Sequence, residues 1–281
     1  CELAQYLSRV GARVTIVQRS PRLLKEFSPE ASSVIEQAFR DEGIELFLGT
    51  TLDRVENLPD GKVQVHFSHA GKTIARDTGY LFNALGRSPS VNSLDLVVAG
   101  IKTLPNGHLM TNEFQQTTNP SVYAAGDCSG PHEIVHVAIR QGETAATHAL
   151  GKEVSPMNYD GLLRVVFTDP QIAFVGLSPA EIDERDLSFA SASYPFDDHG
   201  KSILMEAKRG HVVVHAEKPG GQLLGAECVG KDAGELIHAL SVGISLGATA
   251  GQLVAADWYH PTLSEIWTYP LEDLAEECKG K

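Results

Sequence analysis

The chain has 281 residues, enough for two compact domains, with 42% apolar residues and a formal charge of −13. That charge argues against nucleic acid or an anionic membrane surface as a main partner, and no apolar run approaches the roughly 18–20 residues of a membrane span. Cys1, Cys128, Cys228 and Cys278 form no CxxC and no paired metal-ligand spacing. They predict neither a metal site nor a disulfide framework, but reduced thiols in a cytoplasmic protein.

In chain order, Leu3, Leu7 and Val10 follow helical spacing and Gly11 is a helix stop. RVTIV, residues 13–17, then reads as a buried strand. A helix feeding a strand through a tight Gly turn is the second half of a βαβ unit. Its first strand and phosphate loop are therefore expected ahead of residue 1, in a longer protein. Ser28 is a candidate N-cap, Pro29 suits a first helical turn, and Val34, Ile35, Ala38 and Phe39 make an apolar face that ends at Gly43. IELFLG, residues 44–49, is another short strand. KVQVHFSHA and KTIARDTGYLFNAL alternate like antiparallel strands joined at an Ala-Gly turn.

ALGRSPSVNSLDL, from Ala84, reads as a loop and a boundary. A strand over Val122–Ala125 runs into the Gly126-Asp127 turn, and a helix follows from about residue 133 with Val135, Ile139 and Ala146 among its inward candidates. Beyond Tyr159, RVVFTDPQIAFVGLS, HVVVHAEK and LLGAECVG read as strands. AGELIHALSVGISLGAT and LSEIWTYPLEDLAEE read as helices, an α+β pattern.

Three constellations carry chemistry. A strand ending in a small-Gly-Asp turn lets backbone approach a ligand, and Asp127 can accept from ligand hydroxyls. The helix after it could present its N-terminus to an electron-rich cofactor ring. At the end of the early strand, where a βαβ dinucleotide site has an acidic residue on the ribose 2′-hydroxyl, stands Gln18, with Arg19 and Arg22 after it. Guanidinium groups there suit a 2′-phosphate, although two solvated surface arginines read the same way. Finally, WYHPTLSE puts His260 five residues before Glu265. A carboxylate beside an imidazole fixes its tautomer and suits acid–base work, but a lone His–Glu pair is more often structural.

ALGRSPSV, VYAAGDC, VFTDPQIAFVGLS, AGELIHAL and HPTLSE, in that order and at these spacings, resemble the flavin-dependent pyridine nucleotide–disulfide oxidoreductases. These include dihydrolipoamide dehydrogenase, glutathione reductase and mercuric reductase. The resemblance covers essentially the whole chain. It implies a partial nucleotide-binding (Rossmann-like) α/β domain over residues 1–87, a returning segment of an FAD domain over 88–153, and an α+β dimerisation domain over 154–281. It implies FAD and NAD(P) as cofactors, a homodimer, and a small thiol or disulfide substrate or lipoyl group. By the same resemblance Asp127 and Gly126 would bind FAD, Val135, His136 and Val137 would lie against the flavin, and Gly86 belongs to the same site. Glu2 would stand near the nicotinamide, with Gln18 and Arg19 on the ribose side.

His260 would be the active-site base, reaching the partner subunit's half of the site, and Glu265 its orienting carboxylate. The imidazole would take and return the proton of a thiol. The family's CxxxxC redox pair and N-terminal GxGxxG loop are not in this sequence, so these residues alone are expected to be inactive. A catalytically silent dimerisation and nucleotide-binding fragment is the alternative, as is a flavoprotein with a non-disulfide acceptor. HPTLSE resembles dihydrolipoamide dehydrogenase, whereas mercuric reductase has a tyrosine in that region. Gln18 and the neighbouring arginines favour NADP users, and Cys278 near the C-terminus is similar to only half of the mercuric reductase cysteine pair.

Overall fold

The computed structural model describes residues 1–279. α1 (Glu2–Arg9) stops at Gly11, whose φ is +97°, and the chain turns into β1 (Thr15–Gln18). α2 (Pro29–Asp41) and β2 (Glu45–Leu48) follow, and β1 pairs with β2 in parallel, Ile16 opposite Leu46. As expected, Ser28 caps α2 by accepting from the N–H of Ala31 at 3.0 Å, with Pro29 at the first helical position.

β3 (Thr51–Asn57), β4 (Val63–His69) and β5 (Lys72–Thr78) form an antiparallel meander. Ala70 and Gly71 both have positive φ, the geometry of a two-residue hairpin turn. The alternation in sequence does not reveal β3, because all seven of its residues are exposed. The strand expected to run on through Leu85 ends at Thr78, and Tyr80, Leu81, Phe82 and Leu85 stand exposed.

α3 (Val135–Ala149) precedes β6 (Leu163–Val166), β7 (Gln171–Gly176), α4 (Pro179–Glu184), β8 (Phe189–Pro195), α5 (Gly200–Leu204), β9 (His211–Glu217) and β10 (Leu223–Gly230). α6 (Ala233–Ser245) and α7 (Ala250–Val254) come next, then a 3-10 turn over Ser264–Trp267 that runs into α8 (Thr268–Glu277). β6 to β10 make one antiparallel sheet in the order β6-β7-β10-β9-β8. β8 is a further strand that the sequence reading lacks; its alternation is weak, FASASYP.

Two compact units result, one made of residues 1–81 with the chain from 160 onward, the other of residues 82–159. In the first, strand alternation decides which face each residue joins. On β7, Ala173 and Val175 pack with Leu236, Ile237 and Leu240 of α6 and Leu271 and Leu274 of α8. Ile172 and Phe174 point the other way and pack with Ala31, Ile35 and Phe39 of α2. The sheet is therefore buried on both faces, and α2 is one of its two covers. Gly210 is required where it sits: with φ +113°, a Cβ there would lie 1.8 Å from the carbonyl oxygen of Val229.

The second unit corrects two expectations. Val122–Ala125 is not a strand; Tyr123 makes one isolated bridge with Gln116, and the Ala124 N–H donates to the Gln115 carbonyl. The segment folds as successive Asn- and Thr-stabilised turns, so no neighbour offers a continuous ladder. On α3, Val135, Ile139 and Ala146 are exposed, and the buried positions are Val137, Gln141, Thr144 and Ala145. The polar Gln141 is the reason. It donates to the Gly130 carbonyl at 2.8 Å and accepts from the Gly126 N–H at 2.6 Å, and so turns that face of the helix inward.

Candidate functional site

His260 and Glu265 are brought together by a short loop closed by the 3-10 turn at Ser264–Trp267. The Trp267 indole is fully buried and donates to the Leu236 carbonyl at 3.0 Å, which anchors that turn on α6. Glu265 is consequently held among buried neighbours, its side chain 11% exposed, while the His260 side chain is 80% exposed. His260 Nδ1 lies 2.9 Å from Glu265 Oε2. The carboxylate accepts from Nδ1, which leaves Nε2 as the nitrogen available to an external proton donor or acceptor.

A feature the sequence reading missed lies on the other side of the same carboxylate. Glu265 Oε1 is 3.5 Å from Nε2 of His199, a fully buried histidine between β8 and α5. Burial holds His199 below the ordinary imidazole value, against the opposing pull of Glu265. Nothing local marks it, because its partner comes from the far end of the chain.

The Gly-Asp turn and α3 form a second group of sequence-predicted residues. Gly126 has φ +80°, and a Cβ there would touch the Ala138 side chain at 3.4 Å, so the turn sits directly on the helix. Asp127 is exposed and pairs with Arg87 at 3.0 Å, next to Gly86; Arg87 also pairs with Glu133 at 3.0 Å. α3 starts at Val135 with no side-chain cap and no acidic residue in its first turn. Its start therefore carries no side-chain cap, and Val135 presents an exposed apolar surface there. That combination of uncapped helix end, apolar surface and close-approach glycine turn fits the electron-rich edge of a planar cofactor and its polar tail.

The third group is only partly gathered. Gln18 ends β1, and Arg19 after it is exposed and makes no hydrogen bond or ion pair among the described residues. Arg22 is occupied, donating to the carbonyls of Lys25 and Phe27 at 2.8 and 3.2 Å. Glu2, at the start of α1, accepts the N–H of Phe167 at 2.8 Å through one carboxylate oxygen. A free guanidinium next to a neutral Gln at a strand end fits a ribose phosphate.

The pyridine nucleotide-disulphide oxidoreductase model matches residues 1–142, just over half of the chain, and that family's dimerisation-domain model matches residues 162–270. The chain belongs to the pyridine nucleotide-disulphide oxidoreductase family. Among curated relatives, the mercuric reductase of Bacillus cereus is 34% identical over 253 residues, covering 90% of this chain and 40% of the relative. A dihydrolipoyl dehydrogenase of Bacillus subtilis is 30% identical over 266 residues, covering 94% of this chain and 56% of the relative. Of solved structures, LpdA from Mycobacterium tuberculosis superposes with a TM-score of 0.87 at 27% identity, over 97% of this chain and 59% of that one.

The chain thus spans about half the length of the curated relatives it matches. The expected fold class, α/β with an α+β dimerisation domain, holds, and FAD and NAD(P)H are the cofactors of this family. Among the described residues no helix is long and apolar enough to cross a membrane, and no cluster of His, Cys, Asp and Glu could hold a metal ion.

Proposed function

We propose that the whole protein is a flavin-dependent NAD(P)H:disulfide or dihydrolipoamide oxidoreductase in which His260, oriented by Glu265, moves the substrate proton. The observation that carries this reading is the 2.9 Å contact between His260 Nδ1 and a buried carboxylate, with the rest of the imidazole exposed. A structural pair would hide the ring. Here only the carboxylate is hidden, and the ring is held out at a fixed tautomer. Nε2 takes the proton of an attacking thiol and returns it to the leaving thiol, which sets the reactive thiolate fraction.

In the same reading residues 1–87 serve the nicotinamide nucleotide, 88–153 the flavin and 154–281 the homodimer, in a cytoplasmic protein. Asp127 and Gly126, with Gly86 alongside, would hold FAD, and the α3 start at Val135, His136 and Val137 would lie along its ring. Glu2 would face the nicotinamide, and Gln18 and Arg19 its ribose. When bound, these cofactors supply two-electron transfer. The chain's own contribution is to orient them, to favour negative charge at the α3 N-terminus, and to move the proton at His260.

The substrate is a small thiol or disulfide, or a lipoyl group, the disulfide form accepting electrons and the dithiol form donating them. The likeness to the Bacillus cereus mercuric reductase supports a second reading, a mercuric-ion-type acceptor. Cys278 lends that reading no help, because it is buried and its thiol is pushed up by burial, so it offers no accessible thiolate.

His260→Gln in the full-length protein tests the function. Stopped-flow mixing should show flavin reduction by the nicotinamide nucleotide nearly unchanged and the disulfide half-reaction slowed roughly 10²–10⁴-fold, the usual worth of general acid–base catalysis. Equal slowing of both half-reactions would mean that His260 supports the structure and not the chemistry. Turnover with mercuric ion but not with lipoamide or small disulfides would favour the second acceptor.

A further inference from the structure

Each oxygen of the Glu265 carboxylate faces an imidazole, and the two rings are opposite in character. Oε2 meets His260, whose side chain is 80% exposed; Oε1 meets His199, whose side chain is wholly buried. His199 is fixed at its other nitrogen, with Nδ1 2.7 Å from the hydroxyl of Ser202 one helical turn ahead. The Tyr269 ring stands edge-on to His199 at 6.2 Å, and Tyr269 is itself stacked on Tyr194 at 3.8 Å. The Tyr194 hydroxyl in turn donates to the Asp198 carboxylate at 3.0 Å. The imidazole is therefore tied at Nδ1 and packed beside an aromatic stack, with Nε2 towards Glu265.

His199 Nε2 is buried and has no hydrogen-bond partner among the described residues. Its 3.5 Å separation from Glu265 Oε1 is longer than a hydrogen bond, yet that carboxylate oxygen is the acceptor it faces. A neutral imidazole carries one N–H. Placing that N–H on Nδ1 would set the Nε2 lone pair against a carboxylate, which is repulsive. Placing it on Nε2, with the Ser202 hydroxyl donating to Nδ1, makes both contacts favourable. A buried donor without a partner is costly, so a small closing movement of the carboxylate towards His199 lowers the energy.

We propose that His199 is a positioning residue for the His260–Glu265 pair: its Nε2–H holds Oε1 of Glu265, so that Oε2 stays aimed at Nδ1 of His260. Ser202 sets the tautomer of His199, His199 sets the rotation of the carboxylate, and the carboxylate sets the tautomer of His260. The proposal deepens the acid–base reading of His260 and rests on it for its functional meaning, while the arrangement itself can be tested without turnover.

The experiment is an NMR measurement of ring tautomers in the full-length protein labelled with 15N-histidine, at a pH where His260 is neutral. Its signals are assigned by their loss in His260→Gln. The native protein should hold His260 in the Nδ1–H form. In His199→Leu the ratio of Nδ1–H to Nε2–H at His260 should fall roughly 2- to 10-fold, the worth of one net hydrogen bond. His199→Gln, whose amide nitrogen can take the place of Nε2, should restore it. A folded His199→Leu protein with an unchanged His260 tautomer ratio would overturn the proposal. So would a ratio that His199→Gln fails to recover.

Should His199→Leu not fold, Ser202→Ala loosens the same chain at its far end and must shift the ratio in the same direction; no shift there overturns the proposal too. Failure of the acid–base reading looks different. The tautomer would still respond to His199, but His260→Gln would leave the disulfide half-reaction intact.

Discussion

Ser28 and Glu227 are joined across 199 residues of sequence: the backbone N–H of Ser28 donates to Glu227 Oε2 at 2.9 Å, and its hydroxyl donates to the other oxygen of the same carboxylate. Ser28 is also the N-cap of α2. One serine thus closes the first turn of α2 and supplies two donors to a buried carboxylate on β10 of the five-stranded sheet.

Replacing Ser28 tests that coupling. Ser28→Ala removes the cap and one of the two donors to Glu227, and should cost about 2 kcal/mol in denaturant unfolding. Glu227→Gln carries a pH signature instead. Burial raises the Glu227 carboxyl above its ordinary value of 4.5, against the Ser28 hydrogen bonds. The native state then holds this proton more tightly than the unfolded state does, so its contribution falls as pH rises from 4.5 through the raised value. Glu227→Gln should abolish that fall; an unfolding free energy with the same pH slope in both proteins would refute the assignment.

His215 gives the opposite slope. It is buried on β9 against Ser191, Nδ1 to Oγ at 2.7 Å, and burial lowers its pKa from 6.5 to about 4. Between those values the unfolded chain binds the proton and the native state does not, so stability is full above pH 6.5 and is lost as pH falls towards 4. About 3 kcal/mol is at stake. Unfolding curves between pH 7 and pH 4 should lose most of that amount in the native protein and much less in His215→Leu.

Arg19 should decide the choice of nicotinamide nucleotide. It is exposed and unpaired among the described residues beside the neutral Gln18, where a carboxylate would repel a 2′-phosphate. The full-length protein should prefer NADPH to NADH, and Arg19→Glu should reverse or abolish the preference. If kcat/KM for NADPH barely moves in that variant, Arg19 is only a surface charge.

A second copy of the chain should cover the outer side of α6. Leu236, Ile237 and Leu240 of this helix are buried against the sheet, yet Val242 and Leu246 are 59% and 79% exposed, and Phe167 and Tyr259 are also exposed. The full-length protein should sediment as a dimer burying at least about 2,000 Å² in total, the scale of obligate interfaces. Leu246→Glu should push it towards monomer, and a monomeric native protein would refute the assignment.

Local signals in the sequence determined what depends on neighbours a few residues apart. Ser28, Pro29 and the spacing of Ile35, Ala38 and Phe39 were enough for α2, because capping and amphipathicity act within one or two turns. The five-residue interval of HPTLSE was enough to put His260 within reach of Glu265.

Tertiary packing decided the rest. The strand expected at Val122–Ala125 has no ladder to join, and the inward face of α3 is set by Gln141 bonding to backbone on another loop, against its own apolar residues. His199 meets Glu265 only because α8 packs on β8 and carries Tyr269 against it. Periodicity reports which side of an element is apolar. Which buried polar group finds which partner is fixed by long-range contacts, and the second ring beside Glu265 is one of these.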